Sequence, residues 1–262
     1  MKTCSTLDGL YYEIQGSGDT LIFLHGIGGT HQMFAPQVEA LSHHFQTLTV
    51  DLLGSGRSKS VMERSYLDAH LKSIRFLMQQ LKIGQAIFVG LSYGGIVAQA
   101  FAIRHPEKVK KMVLIDTYAN VFPRDAAEFR LMLLAGVVVT VGWAPKSWIK
   151  MLNYLSPYKR WHLAQEQMVS IFQTCRAKEM TVQLLEVFGM DFTHKLTELK
   201  MPVLVIAGDK LPAVVDKSKE IVENLVNGEL LVVRDSFDPT NLCQPEIVSA
   251  AILAFLREKT PV

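Results

Sequence analysis

The chain has 262 residues, of which 49% are hydrophobic and 20% charged, and its formal net charge is +2. That length suits one sizeable α/β domain with room for an insertion. The charges are few and interspersed, which leaves no basic face for a nucleic-acid partner.

Met1 to Leu10 is polar and lacks the apolar run of a secretion signal. Tyr11–Gln15, Leu21–His25 and Gln46–Asp51 read as the first strands. Leu67–Leu81 sets Leu71, Ile74, Leu77, Met78 and Leu81 on one helical face. Ala86–Leu91 is the next strand. Gly94–Arg104 follows as a helix that is small and apolar all round, as a central buried helix is. Met112–Asp116 is again a strand.

From Tyr118 to Asp191 the strand rhythm stops. This stretch reads as helical and holds all three tryptophans, Trp143, Trp148 and Trp161. It predicts an inserted helical lid over 118–191, between core parts 1–117 and 192–262. Its most apolar run, Leu131–Ala144, has 14 residues and is too short to span a bilayer, so no transmembrane segment is expected. Val203–Ala207 and Glu229–Val233 resume the strands, with helices at Ser218–Val226 and Glu246–Glu258. Pro245 stands just before the last helix, where its missing N–H costs nothing. The strands are mostly continuous apolar runs alternating with helices, which predicts a doubly wound, mostly parallel α/β sheet.

Cys4, Cys175 and Cys243 are odd in number and widely spaced. Neither a disulfide framework nor a metal site is expected, and reduced thiols point to a cytoplasmic location. No cofactor is expected.

Gly90-Leu91-Ser92-Tyr93-Gly94 is a G-x-S-x-G pattern between a strand and a helix. In that context it is a nucleophile elbow, a strained turn that lifts the Ser92 hydroxyl clear of the sheet. His25-Gly26-Ile27-Gly28-Gly29 follows an earlier strand, and Asp51-Leu52-Leu53-Gly54-Ser55-Gly56-Arg57-Ser58 follows another. His25 is read as a loop-orienting hydrogen-bonder. With His105-Pro106-Glu107-Lys108-Val109 and the pattern from Pro245 to Leu256, these motifs closely resemble the α/β-hydrolase superfamily over nearly the whole chain.

The resemblance implies an oxyanion hole built from the N–H groups of Ile27 and Tyr93. It also implies an acid and a histidine after Ser92. The usual acid position holds Leu211; the possible acids are Asp209, two residues earlier, and Asp116, at the end of the preceding core strand, an alternative acid position in some members. The usual histidine position holds Asp238, preceded by Phe237, and no histidine follows His194. A serine hydroxyl without a base is a weak nucleophile. The expectation is therefore non-hydrolytic chemistry, of lyase, isomerase or cyclase type, with Ser92 and Asp238 as catalytic residues. Two alternatives stand beside it. One is a serine ester hydrolase with a displaced base, for which His31, His162 and His194 are available. The other is a non-catalytic ligand binder on the same scaffold.

The expected ligand is a small apolar carbonyl compound, met by His25, Gly26, Phe122, Trp143 and Phe237. Phe129, Trp148, Trp161 and Phe172 complete the aromatic supply of the lid. A homodimer is allowed as the assembly.

Overall fold

A computed structural model of the chain describes residues 2–61, 65–123 and 157–258, with isolated positions 126, 128–130, 133, 136 and 143. Eight strands lie among them: β1 (Lys2–Leu7), β2 (Leu10–Gln15), β3 (Thr20–Leu24), β4 (Gln46–Val50), β5 (Ala86–Leu91), β6 (Val109–Ile115), β7 (Val203–Gly208) and β8 (Gly228–Val233). They form one sheet in the order β1-β2-β4-β3-β5-β6-β7-β8. The β1–β2 and β2–β4 pairs are antiparallel, and every other pair is parallel.

Every residue of β3, β5 and β7 is buried. That explains why their sequences are apolar on both faces rather than alternating. Alternate side chains feed two separate cores. Ile22, Leu24 and Phe88 point into the core shared with α2 (Tyr66–Gln80) and α3 (Tyr93–Arg104). Leu21, Phe23, Ile87 and Val89 point into the other, shared with α1 (Ala35–Leu41) and α9 (Pro245–Arg257). Phe88 stacks on Phe101 of α3 at 4.8 Å between centroids. Truncation of a fully buried Phe of this kind costs about 3–5 kcal/mol.

Helices α4 (His162–Thr174), α5 (Ala177–Val187) and α6 (Thr193–Leu196) fall between β6 and β7, as an inserted helical segment. Helix α7 (Pro212–Glu223) follows β7, and the short α8 (Thr240–Cys243) precedes α9.

Helix α5 is fastened to the core by polar side chains. Glu186 accepts from Ser65 Oγ at 2.5 Å and from the Leu67 N–H at 3.0 Å, at the first turn of α2. Gln183 donates to the Leu53 carbonyl at 3.3 Å. Arg176, just before α5, donates to the Gly56 carbonyl at 3.0 Å.

The architecture matches the sequence expectation, with differences at the margins. Strand β1 is not anticipated, because Lys2–Leu7 is polar and pairs only with β2 at the sheet edge. Helix α7 starts at Pro212 rather than Ser218, and Pro at the first helical position explains the early start. Helices α1 and α8 are also additions. The run Leu131–Ala144, apart from positions 133, 136 and 143, lies outside the described residues, as does Trp148. Among the described residues no helix is long and apolar enough to cross a membrane.

Candidate active site

Ser92 sits between the C-terminus of β5 and the first turn of α3, with φ 51° and ψ −117°. A non-glycine residue in that region is strained and persists only when its surroundings fix it. The fixing contacts are plain. The Ser92 N–H donates to the Ile115 carbonyl at 2.8 Å, and Thr117 Oγ1 donates to the Ser92 carbonyl at 2.7 Å. Gly94 admits the close crossing of α3 and β3, since a Cβ there would overlap the Leu24 carbonyl. Among the described residues Ser92 Oγ has no hydrogen-bond partner in the protein. It opens on a cavity of about 240 Å³.

Gly26, Ile27 and Tyr93 line that cavity beside Ser92. A Cβ on Gly26 would stand 3.4 Å from the Ser92 Cβ, so the loop's backbone lies against the serine. The Ile27 and Tyr93 N–H groups take no acceptor among the described residues. The Tyr93 N–H is also the positive end of a 12-residue helix.

His25 does not line the cavity. Its Nε2 accepts from the Leu52 N–H at 2.9 Å, and so its Nδ1 donates to the Gly26 carbonyl at 2.7 Å. Burial lowers its pKa and keeps the ring neutral in that role. Behind Tyr93, His70 is buried edge-on to the Tyr93 ring, 5.7 Å between centroids, and burial lowers its pKa to about 3.

The same cavity carries the unusual residues. Asp238 and Phe237 both line it, and so does Leu211. Asp238 is half-buried in the cavity lining. Its carboxylate accepts no hydrogen bond among the described residues. Its backbone carbonyl accepts from Tyr158 Oη at 2.5 Å, and Tyr158 and Trp161 pack on Phe237. Burial, and then the charge of Asp116, push the Asp238 carboxyl well above the usual carboxylate range.

Asp116 directly follows β6, with φ 47°, and is fully buried. It accepts from the Thr240 N–H at 2.6 Å, Thr240 Oγ1 at 2.9 Å and the Gly208 N–H at 3.2 Å. Burial still pushes its pKa up to about 6 against those donors. It does not line the cavity, and it anchors the start of α8, two residues beyond Asp238. Asp209 lies at the surface, where it accepts from the Ser236 N–H at 3.2 Å. The Ser236 N–H holds its carboxyl below the ordinary value. It does not line the cavity.

None of the eight histidines lines the cavity. His31 Nδ1 is 2.7 Å from Asp51 and its Nε2 3.4 Å from Glu13, on another face. His162 is 80% exposed beside Glu166, and His194 is exposed.

Of the aromatics assigned to the pocket, Phe122 is 55% and Trp143 63% exposed, and neither lines the cavity. Trp143 Nε1 donates to Thr181 Oγ1 at 3.0 Å. Phe129, Trp161 and Phe172 stand outside the lining too. The apolar wall comes instead from Met168, Ile171, Leu184, Val187 and Phe188 of the inserted segment, with Met33, Leu91 and Ile96 of the core. Sequence reasoning also missed a buried ion pair in that wall, Lys217 to Glu128 at 3.0 Å.

The family model for the alpha/beta hydrolase fold matches residues 19–147. RutD of Rhizobium rhizogenes, provisionally named a carbamate hydrolase, is 26% identical over 263 residues, covering 97% of this chain and 100% of that protein. Two solved structures are similar in fold. One is a thermophilic esterase from Thermogutta terrifontis, 24% identical at TM-score 0.80, with 98% of each chain covered. The other is an enol-lactonase from Burkholderia xenovorans, 21% identical at TM-score 0.80, with 98% of this chain and 100% of that one covered. Full-length relatives named for hydrolysis overturn the expectation of lyase, isomerase or cyclase chemistry, and the hydrolytic alternative takes its place.

Proposed function

We propose that this chain, which has the α/β-hydrolase superfamily fold with an inserted helical region, hydrolyses a small, largely apolar ester-like substrate at Ser92. Carbamates fall within that class, in keeping with the name of the RutD relatives. One juxtaposition carries the reading: Ser92 at its strained turn and the unpaired carboxylate of Asp238 line the same cavity. With no histidine in that lining and the Glu128 carboxylate paired with Lys217, Asp238 takes the part of proton acceptor.

The reaction then runs in two halves. Ser92 Oγ attacks the carbonyl carbon, and its proton passes to Asp238. Negative charge grows on the carbonyl oxygen, where the Ile27 and Tyr93 N–H groups and the α3 dipole stabilise it. The bond to the leaving oxygen breaks, and Asp238 returns the proton to that oxygen. Water next attacks the acyl-serine and gives a proton to Asp238. The acid product departs as Ser92 takes its proton back.

An ordinary carboxylate, with a pKa of about 3.9, is a poor base for this work. The raised pKa of Asp238 brings it nearer to the working range. A carboxylate base still favours substrates whose leaving group departs readily.

A fluorophosphonate probe with p-nitrophenyl acetate tests the reading. The wild type is expected to take one label and to hydrolyse the ester, and Ser92→Ala to do neither. A wild type that refuses the label, with Ser92→Ala hydrolysing as fast as wild type, would end it.

A further inference from the structure

Most of the cavity wall is apolar, but α7 turns Lys217 into it. The Lys217 side chain is 4% exposed and that of its partner Glu128 7%. A buried ion pair is a weak source of stability, because desolvating two charges offsets most of their attraction. Two packed apolar side chains would serve the fold as well.

The ammonium has three N–H donors. One meets Glu128 Oε2 at 3.0 Å and one the Phe122 carbonyl at 3.2 Å. Toward the third stands only Glu220 Oε2 at 3.7 Å, beyond hydrogen-bond distance. Among the described residues, Lys217 therefore makes two hydrogen bonds and one longer ion-pair contact while lining the cavity.

We propose that Lys217 is a specificity-determining residue that binds a second, neutral oxygen of the substrate, a ketone, ether or hydroxyl oxygen remote from the carbonyl that reacts at Ser92. The inference rests on the reading of this cavity as the substrate site. The charges nearby select the ligand class. A carboxylate on the substrate would meet Glu128 and Asp238 as well as Lys217, and like charges repel. A cationic group would meet the ammonium itself. A neutral oxygen accepts from the third N–H, which makes no hydrogen bond among the described residues, with neither penalty, and a charged donor makes the stronger kind of hydrogen bond.

Unreactive amides test this without any catalysis. N-propylhexanamide, its 4-oxo and 5-oxo derivatives and the N-propyl monoamide of hexanedioic acid are titrated into the protein by calorimetry. The better oxo compound is expected to bind on the order of ten- to a hundred-fold more tightly than the plain amide. The acid is expected to bind more weakly than either. In the double variant Lys217→Met with Glu128→Gln, which leaves neither member of the pair as a buried lone charge, the preference should shrink to about two-fold or less.

Equal affinities in the wild type, a preference for the acid, or a preference kept by the double variant would overturn the proposal. The wild-type ranking decides alone if the double variant does not fold. Absence of ester hydrolysis alongside the expected ranking would sink the Ser92 chemistry and leave the Lys217 assignment standing.

Discussion

Two parts of the cavity lining, a serine end and an Asp238 end, are held in different ways. At the serine end, main chain meets main chain. Cβ atoms on Gly90 and Gly94 would run into the backbone of α3 or β3. At the Asp238 end, side chains make the wall. Tyr158 and Trp161 pack on Phe237, and a single buried carboxylate, Asp116, anchors the start of α8. A turn limited by backbone contacts accepts one residue type at each glycine. A wall of side chains accommodates a new residue when its neighbours change shape with it. The serine end can therefore keep its motif while position 238 carries a carboxylate where the family resemblance implies an imidazole.

The largest effect should come from the serine end. Ser92→Ala is expected to lower ester turnover by about 10⁴- to 10⁶-fold with unchanged thermal unfolding, read as kcat on p-nitrophenyl acetate. Gly94→Ala attacks the same end through the fold. Its new Cβ meets the Leu24 carbonyl, so a loss of about 4 kcal/mol or more is expected in denaturant unfolding.

Asp238→Asn should cost less than Ser92→Ala, on the order of 10²- to 10⁴-fold in kcat, because the oxyanion hole and the nucleophile remain. A larger loss from Asp238→Asn than from Ser92→Ala would reverse the roles assigned to the two ends.

The smallest effect is a shift in pH dependence. A base must be deprotonated, so kcat/KM should rise with pH through the raised pKa of Asp238. Asp116→Asn removes the neighbouring negative charge and should move that limb to lower pH. Tyr118, Tyr158 and Cys243 also face this pair of carboxylates and keep their place in the variant. Stability supplies the companion measurement. Folded Asp116 holds its proton up to about 6 against an ordinary 3.8. Its contribution is full below the lower value and is lost as pH rises through the higher one. Urea titrations across that window should show the decline in wild type and a flatter profile in Asp116→Asn.

The serine end is legible in the sequence for the reason that makes it rigid. Glycines at 90 and 94, flanked by an all-apolar strand and a small-residue helix, admit one local structure. The parallel strands are legible because burial on both faces writes itself as continuous Val, Ile, Leu and Phe. Strand β1 is not, since an edge strand needs no apolar face. The walls of the cavity are largely hidden too. Phe122 and Trp143 suggest a pocket by type, yet the wall is made of aliphatic side chains that helical periodicity alone does not separate from ordinary core. The Lys217–Glu128 pair is hidden as well, because sequence spacing does not reveal that residues so far apart meet. The exchange at position 238 is visible from sequence, but its meaning is not. A missing histidine reads as a change of reaction class, whereas relatives along the whole chain are named for hydrolysis.

The grip of Glu186 on the first turn of α2 gives the inserted helices a reporter. The Leu67 N–H donates to Glu186, a residue 119 positions away on α5, and an amide within the first turn of a helix has no intrahelical acceptor of its own. It can exchange its hydrogen with solvent when α5 leaves, without α2 unwinding. The exchange rate of this one amide, set against amides deeper in α2, therefore measures how often the inserted segment lifts from the core. A ligand that closes the cavity should slow the first and leave the second unchanged.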